Sequence, residues 1–107
     1  MWNDDGPCLL EASRSLEAWP ARDRFLFVLS DGLPEGRRSG EAELHAAVAR
    51  IRATTAQHLV GLGLGPGTSH VRTFYPNAIA EIEGRALPGL LGDLVEAALR
   101  APETFAR

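Results

Sequence analysis

Apolar positions follow two rhythms that alternate along the chain. Phe25-Leu26-Phe27-Val28-Leu29 is an unbroken apolar run of strand length, and the stretch 58–64 is a second, interrupted by Gly61 and Gly63. A run without alternation fits a strand covered on both faces, as in a parallel sheet. A shorter third strand is expected over 78–82. Elsewhere apolar residues recur at three- and four-residue intervals: Leu9, Leu10 and Leu16 with Ser13 among them; Leu44, Ala47, Val48 and Ile51; Leu87, Leu91, Leu94 and Ala98. That spacing gathers each set on one face of a helix.

Turn chemistry divides these segments. Asp5-Gly6-Pro7 opens the first helix, since an aspartate accepts from the free N–H groups and proline fits a first turn. Trp19-Pro20 closes it, because the residue before a proline avoids the helical region. Ser30-Asp31-Gly32-Leu33-Pro34 ends the first strand, and a polar loop continues to Gly40. A helix is expected over 41–53, a loop at Gly65-Pro66-Gly67-Thr68, and a short helical turn over 71–75, closed by Pro76. The last helix should run from about Pro88 to Arg100, leaving 101–107 as a fraying tail.

The order is helix, strand, helix, strand, short helix, strand, helix. It predicts one α/β domain over 1–107, a three-layer sandwich around a mainly parallel sheet with right-handed crossovers. Gly61 and Gly63 weaken their strand but admit another chain segment closely. Run 25–29 is the most apolar and should be the most central. Yet the chain opens with a helix, so a sheet partner is missing on that side.

Composition narrows the function. The chain has 107 residues, 45% of them hydrophobic and 23% charged, which are ordinary values for one small globular domain. The formal charge of -3 offers no electrostatic footprint for nucleic acid or an anionic membrane. Cys8 is the sole cysteine, which excludes an internal disulfide and a cysteine zinc cluster; in its helix it reads as a small apolar filler. The polar, acidic start is wrong for a signal peptide, and no apolar run reaches the length of a membrane span. A cytoplasmic setting is the expectation.

Candidate chemistry gathers at one place. Ligands of parallel α/β sheets bind beyond the carboxyl ends of the strands. Asp31 follows the first strand there, between Ser30 and Gly32, and a carboxylate so placed suits a hard cation such as Mg²⁺. The plainer alternative is an aspartate that orders the loop through an Asx turn. Ser30 lacks the Gly-x-Ser-x-Gly surroundings of a nucleophile, so its hydroxyl is expected to bond locally. The glycines over 61–67 fail the dinucleotide spacing, because Pro66 stands where the third glycine belongs. His45, His58 and His70 have no metal-ligand spacing among themselves, and His45 reads as solvated. Arg37-Arg38 is either solvated or a contact for an acidic partner.

The segment from Phe25 to Pro34 resembles the strand and loop that carry the late aspartate of the metal-ion-dependent adhesion site in von Willebrand factor A-type domains. Asn3-Asp4-Asp5-Gly6, then Leu10, Ala12, Leu16, Pro20 and Arg24, is similar to the segment before that strand in the cobalt-inserting chelatase member of the family. Leu64-Gly65, Phe74-Tyr75 and the helix from Leu87 match the family's later strand, turn and last helix. The resemblance covers essentially the whole chain but only about the C-terminal half of the family's domain. It implies that Asn3 takes the place of the site's threonine and Asp31 that of its late aspartate, as ligands to Mg²⁺.

It further implies protein–protein recognition, as an accessory part of a chelatase in cobalamin biosynthesis whose partner is a separate AAA+ ATPase subunit. No catalytic group of its own is expected. The first metal motif of the family, Asp-x-Ser-x-Ser, is absent, and Pro7 stands where an acidic residue is usual. Two ligands are too few for an ion that demands near-octahedral oxygen coordination. Binding in isolation should therefore be weak, with the remaining ligands coming from a partner. The resemblance also places the strand at 25–29 beside a strand that this sequence lacks, leaving an apolar edge open to self-association. Two alternatives remain. One is a truncated or degenerate structural module that holds no metal. The other is a receiver- or flavodoxin-type domain, which the lack of an acidic cluster after a first strand disfavours.

Overall fold

The computed structural model of the chain describes residues 5–30 and 38–107. Four α-helices and three strands alternate: α1 (Asp5–Glu17), β1 (Phe25–Ser30), α2 (Arg38–Thr54), β2 (His58–Leu64), α3 (Val71–Phe74), β3 (Asn77–Ile82) and α4 (Leu87–Arg100), with single 3-10 turns at Gly84–Ala86 and Pro102–Thr104. The element order is the one the hydrophobic rhythm predicts, and most boundaries fall within one to three residues of it.

The strands form an all-parallel sheet in the order β1-β2-β3. Phe25 lies beside His58 and Ser30 beside Gly63. Val60 lies beside Asn77, and an irregularity between Leu62 and Leu64 shifts the register before Leu64 meets Ile82. Strand side chains alternate between faces, so each strand feeds two cores. On one face Leu26, Val28, Leu59, Ala78 and Ala80 pack with Leu9 of α1, with Leu44, Ala47, Val48 and Ile51 of α2, and with Val71, Phe74 and Tyr75. On the other, Phe27, Val60, Leu62, Leu64, Ile79 and Ile82 pack with Leu87, Leu90, Leu91 and Leu94 of α4 and with Phe105. The molecule is thus an α/β three-layer sandwich. Leu59 and Leu62 have no exposed surface, and complete burial of such a side chain contributes about 1.5–3 kcal/mol.

The glycines of β2 have a steric reason. A Cβ on Gly61 would lie 2.7 Å from Cγ of Tyr75 and closer still to its Cδ2, and one on Gly63 would lie 2.6 Å from Oγ1 of Thr68. Tyr75 and Thr68 occupy the space that side chains would fill. Ser13 faces inward with the leucines of α1 because Gln57 satisfies it. Its hydroxyl donates to Oε1 of Gln57 at 2.8 Å, while Nε2 of Gln57 donates to the Ser13 carbonyl at 3.0 Å and to Glu17 at 2.7 Å.

Three expectations are corrected. Strand 25–29 is not central: β2 is, and β1 is only half-buried, with Leu29 53% exposed. The run is apolar enough for a central position, but no described strand lies on its other side. Residues 101–107 do not fray. Phe105 packs edge-on against Phe25 with ring centres 5.3 Å apart, and its carbonyl lies 3.1 Å from Nδ1 of His58. Asn77 exchanges two hydrogen bonds of 2.8 Å with the backbone of Ala106. Cys8 is exposed on α1 rather than filling the core, since Leu9 and Ser13 take the inward positions of that helix.

Candidate functional site at the carboxyl edge of the sheet

The carboxyl ends of the strands converge at Ser30, Leu64 and Ile82. Behind β2 the chain turns through Gly65 and Gly67, both at positive φ (78° and 77°), which glycine tolerates at little steric cost. Thr68 then folds back under the turn. It is wholly buried, donates from Oγ1 to the Gly65 carbonyl at 2.8 Å, and accepts the backbone N–H of Glu81 at 2.8 Å. Glu81 is the one non-glycine described residue at positive φ, 55°. The amide of Gly65 donates to the Ile82 carbonyl at 2.9 Å. One threonine therefore ties the ends of β2 and β3 together, and the small residue at position 63 leaves it room.

His70 does the same for β1. Its Nε2 lies 3.3 Å from Oγ of Ser30, across forty residues of sequence. Its ring stands edge-on to Phe74 at 6.0 Å, and His45 of α2 lies against the other reach of Phe74 at 4.3 Å. The Ser30 hydroxyl thus reaches the loop after β2, a contact the local reading of it did not include; the parallel register sets Ser30 beside Gly63, where no side chain intervenes. A serine–histidine pair invites a catalytic reading. A working base is oriented by a third group; among the described residues no hydrogen-bond partner meets the buried Nδ1 of His70. The contact ties the loop after β2 to the end of β1.

Asp31 and Asn3, the two expected metal ligands, both lie outside the described residues, as does Arg37. Of the side chains a hard cation prefers, the described part of this edge contributes the Ser30 hydroxyl near β1 and the exposed carboxylate of Glu81 at the end of β3. Among the described residues no group of three or more His, Cys, Asp or Glu could hold a metal ion. The described residues by themselves therefore do not fit Mg²⁺. His58, the other buried histidine, belongs to the opposite end of the sheet. Its ring stacks on Phe25 at 4.4 Å, and its Nε2 lies 3.8 Å from Asp23, which Arg107 also approaches at 3.8 Å. That cluster secures the tail.

The sequence reading did not foresee the Thr68 staple or the reach of His70. A threonine three residues beyond a turn glycine is a recognisable local hydrogen-bonding signal; nothing local announces His70. No family model, characterised protein or solved structure matches the chain. Among the described residues no helix is long and apolar enough to cross a membrane.

Proposed function

We propose that this chain is a recognition module that shares a divalent cation with a partner protein at the carboxyl edge of its sheet, after the pattern of the von Willebrand factor A-type domains. The observation that carries this reading is the placement of Ser30. It ends an apolar strand at the edge of a parallel sheet and contacts His70, at the side where α/β sheets bind ligands; Asp31 is the next residue in the sequence. The order β1-β2-β3, with β1 outermost, is also the arrangement expected of the C-terminal half of that family's sheet.

On this reading Asp31 and Asn3 supply part of a Mg²⁺ site, and an acidic group of the visiting protein completes it. The resemblance extends the proposal to an accessory role beside an AAA+ ATPase subunit in a cytoplasmic cobalt chelatase. A second reading, a structural module without metal, draws on the lack of an acidic cluster among the described residues. Titration calorimetry with Mg²⁺ and Mn²⁺ separates the two. Weak binding that disappears in Asp31→Ala supports the shared-cation reading. Absence of heat at millimolar metal, or heat unchanged in Asp31→Ala, refutes it.

A further inference from the structure

Among the described residues, the outer edge of β1 carries none of the sequence devices that normally keep a strand edge from pairing. Such edges are blunted by charge, proline or a bulge; Phe25–Ser30 contains no charged residue and no proline, and its pairing with β2 is regular throughout. The amide of His58 donates to the Arg24 carbonyl at 2.8 Å. Since consecutive residues of a strand direct their backbone groups to opposite sides, those of Leu26 and Val28 turn to β2. The N–H and C=O groups of Phe25, Phe27 and Leu29 turn to the open edge, where no described strand meets them. Beside that edge, on the α4 face, lies a mainly apolar groove lined by Phe25, Phe27, Val95, Ala98, Leu99 and Pro102, with Asp23 as its one charged member. Leu29, Val95 and Leu99 are 53%, 46% and 81% exposed.

We propose that this edge pairs with the same edge of a second copy of the chain, joining two three-stranded sheets into one of six strands. The geometry determines how. Parallel pairing would need a twofold axis along the strands and would turn α4 of one copy to the opposite face from its mate. Antiparallel pairing needs a twofold axis perpendicular to the sheet, which keeps both α4 helices on one face and joins their grooves. Each residue must then pair with one on the same face, odd number with odd. The register that pairs all three outward residues centres on Phe27, opposite Phe27 of the second copy, with Phe25 opposite Leu29 and Leu26 opposite Val28.

In that register the outward backbone groups of Phe25, Phe27 and Leu29 bond one another, and apolar side chains meet apolar ones on both faces. Within β1 itself, which has no charged residue, the paired strands bring no like charges together; the carboxylates of Asp23, two residues before β1, limit the affinity. The smallest flank of the molecule measures 33 by 21 Å. Contact across all of it would bury roughly 700 Å² per partner, just under the ~800 Å² of a standard interface. The dimer should therefore be weak and reversible.

The test is sedimentation equilibrium of the full chain from roughly 5 to 500 µM, a span that brackets weak affinities. Hydrogen exchange read at both ends of the range accompanies it. Mass should rise toward the dimer, and the amides of Phe25, Phe27 and Leu29 should become more protected at high concentration. Leu29→Lys, at an exposed side chain, should weaken association about tenfold or more and leave the far-UV circular dichroism unchanged. In a Cys8→Ser background, Phe27→Cys should crosslink to itself on oxidation, because facing Cα atoms in such a pair lie about 5.5 Å apart, within disulfide reach. Leu29→Cys should not, since two copies of residue 29 would lie about 14 Å apart along the strands. A monomer throughout overturns the proposal, as does a dimer indifferent to Leu29→Lys. Protection at β1 that does not change with concentration also overturns it, and points to a different occupant. If Phe27→Cys fails to fold, the wild-type masses and the Leu29→Lys comparison still decide.

Discussion

Replacement of Gly61 by alanine tests whether close approach, rather than backbone freedom, keeps glycine in the central strand. The new Cβ would lie 2.7 and 3.0 Å from Cγ and Cε2 of Tyr75 and nearer still to Cδ2, where ordinary contact begins near 3.4 Å. The ring must therefore move by most of an ångström or more. It cannot swing into solvent, because Tyr75 is only 7% exposed and packs among Leu59, Val71 and Phe74. Overpacking of this kind costs about 1–3 kcal/mol. Alanine restricts the unfolded chain and returns about 0.4–1 kcal/mol where the native backbone suits it; the φ of Gly61 is not in the left-handed region. The net expectation is a loss of about 1–2 kcal/mol, or roughly 5–10 °C in Tm for a domain of this size. Urea unfolding followed by circular dichroism would measure it, with an unchanged m-value marking a change in stability alone. The loss should shrink in a Tyr75→Val background, where the clash is gone. Unchanged or increased stability in Gly61→Ala would refute the packing argument, and so would an equal loss in both backgrounds.

Two further substitutions test the joints of the fold. Thr68→Val keeps the shape of the side chain but removes the acceptor for the Glu81 amide and the donor to the Gly65 carbonyl; a loss of about 1–3 kcal/mol is expected from the groups left unpaired. The His70 ring resonances should shift with it, and their persistence would show that the loop does not depend on Thr68. Asn77→Ala removes the bonds to Leu59 and Ala106. The Ala106 amide should then exchange faster and the C-terminus should yield sooner to carboxypeptidase, with about 1–2 kcal/mol lost overall; unchanged exchange would mean that Phe105 alone holds the tail.

The element order was legible because apolar spacing is local information. Leu44, Ala47, Val48 and Ile51 announce the buried face of α2, and all four are buried. The close approach at Gly61 and Gly63 was legible as a kind of event, though its agents, Tyr75 and Thr68, were not. The site was harder to read. Asp31 and Asn3 were chosen from strand-end position and resemblance, and both lie outside the described residues. The Ser30–His70 contact depends on parallel register, which joins residues far apart in sequence. The docked tail escaped notice because its bonds run to Asn77 and His58, and a seven-residue stretch with one aromatic ring resembles any loose end.

The sequence alone determined that α and β segments alternate, which faces of the helices are apolar, and that a turn follows β2 at Gly65-Pro66-Gly67-Thr68. Each follows from short-range chemistry: side-chain periodicity, capping and allowed backbone angles. Only the tertiary structure decided that β2 rather than β1 is central, that Thr68 and His70 bind the strand ends, and that Phe105 closes the second core. Those outcomes depend on which strand lies beside which, and this parallel sheet makes its neighbours from residues 33 apart in sequence for β1 and β2 and 17 or 18 apart for β2 and β3.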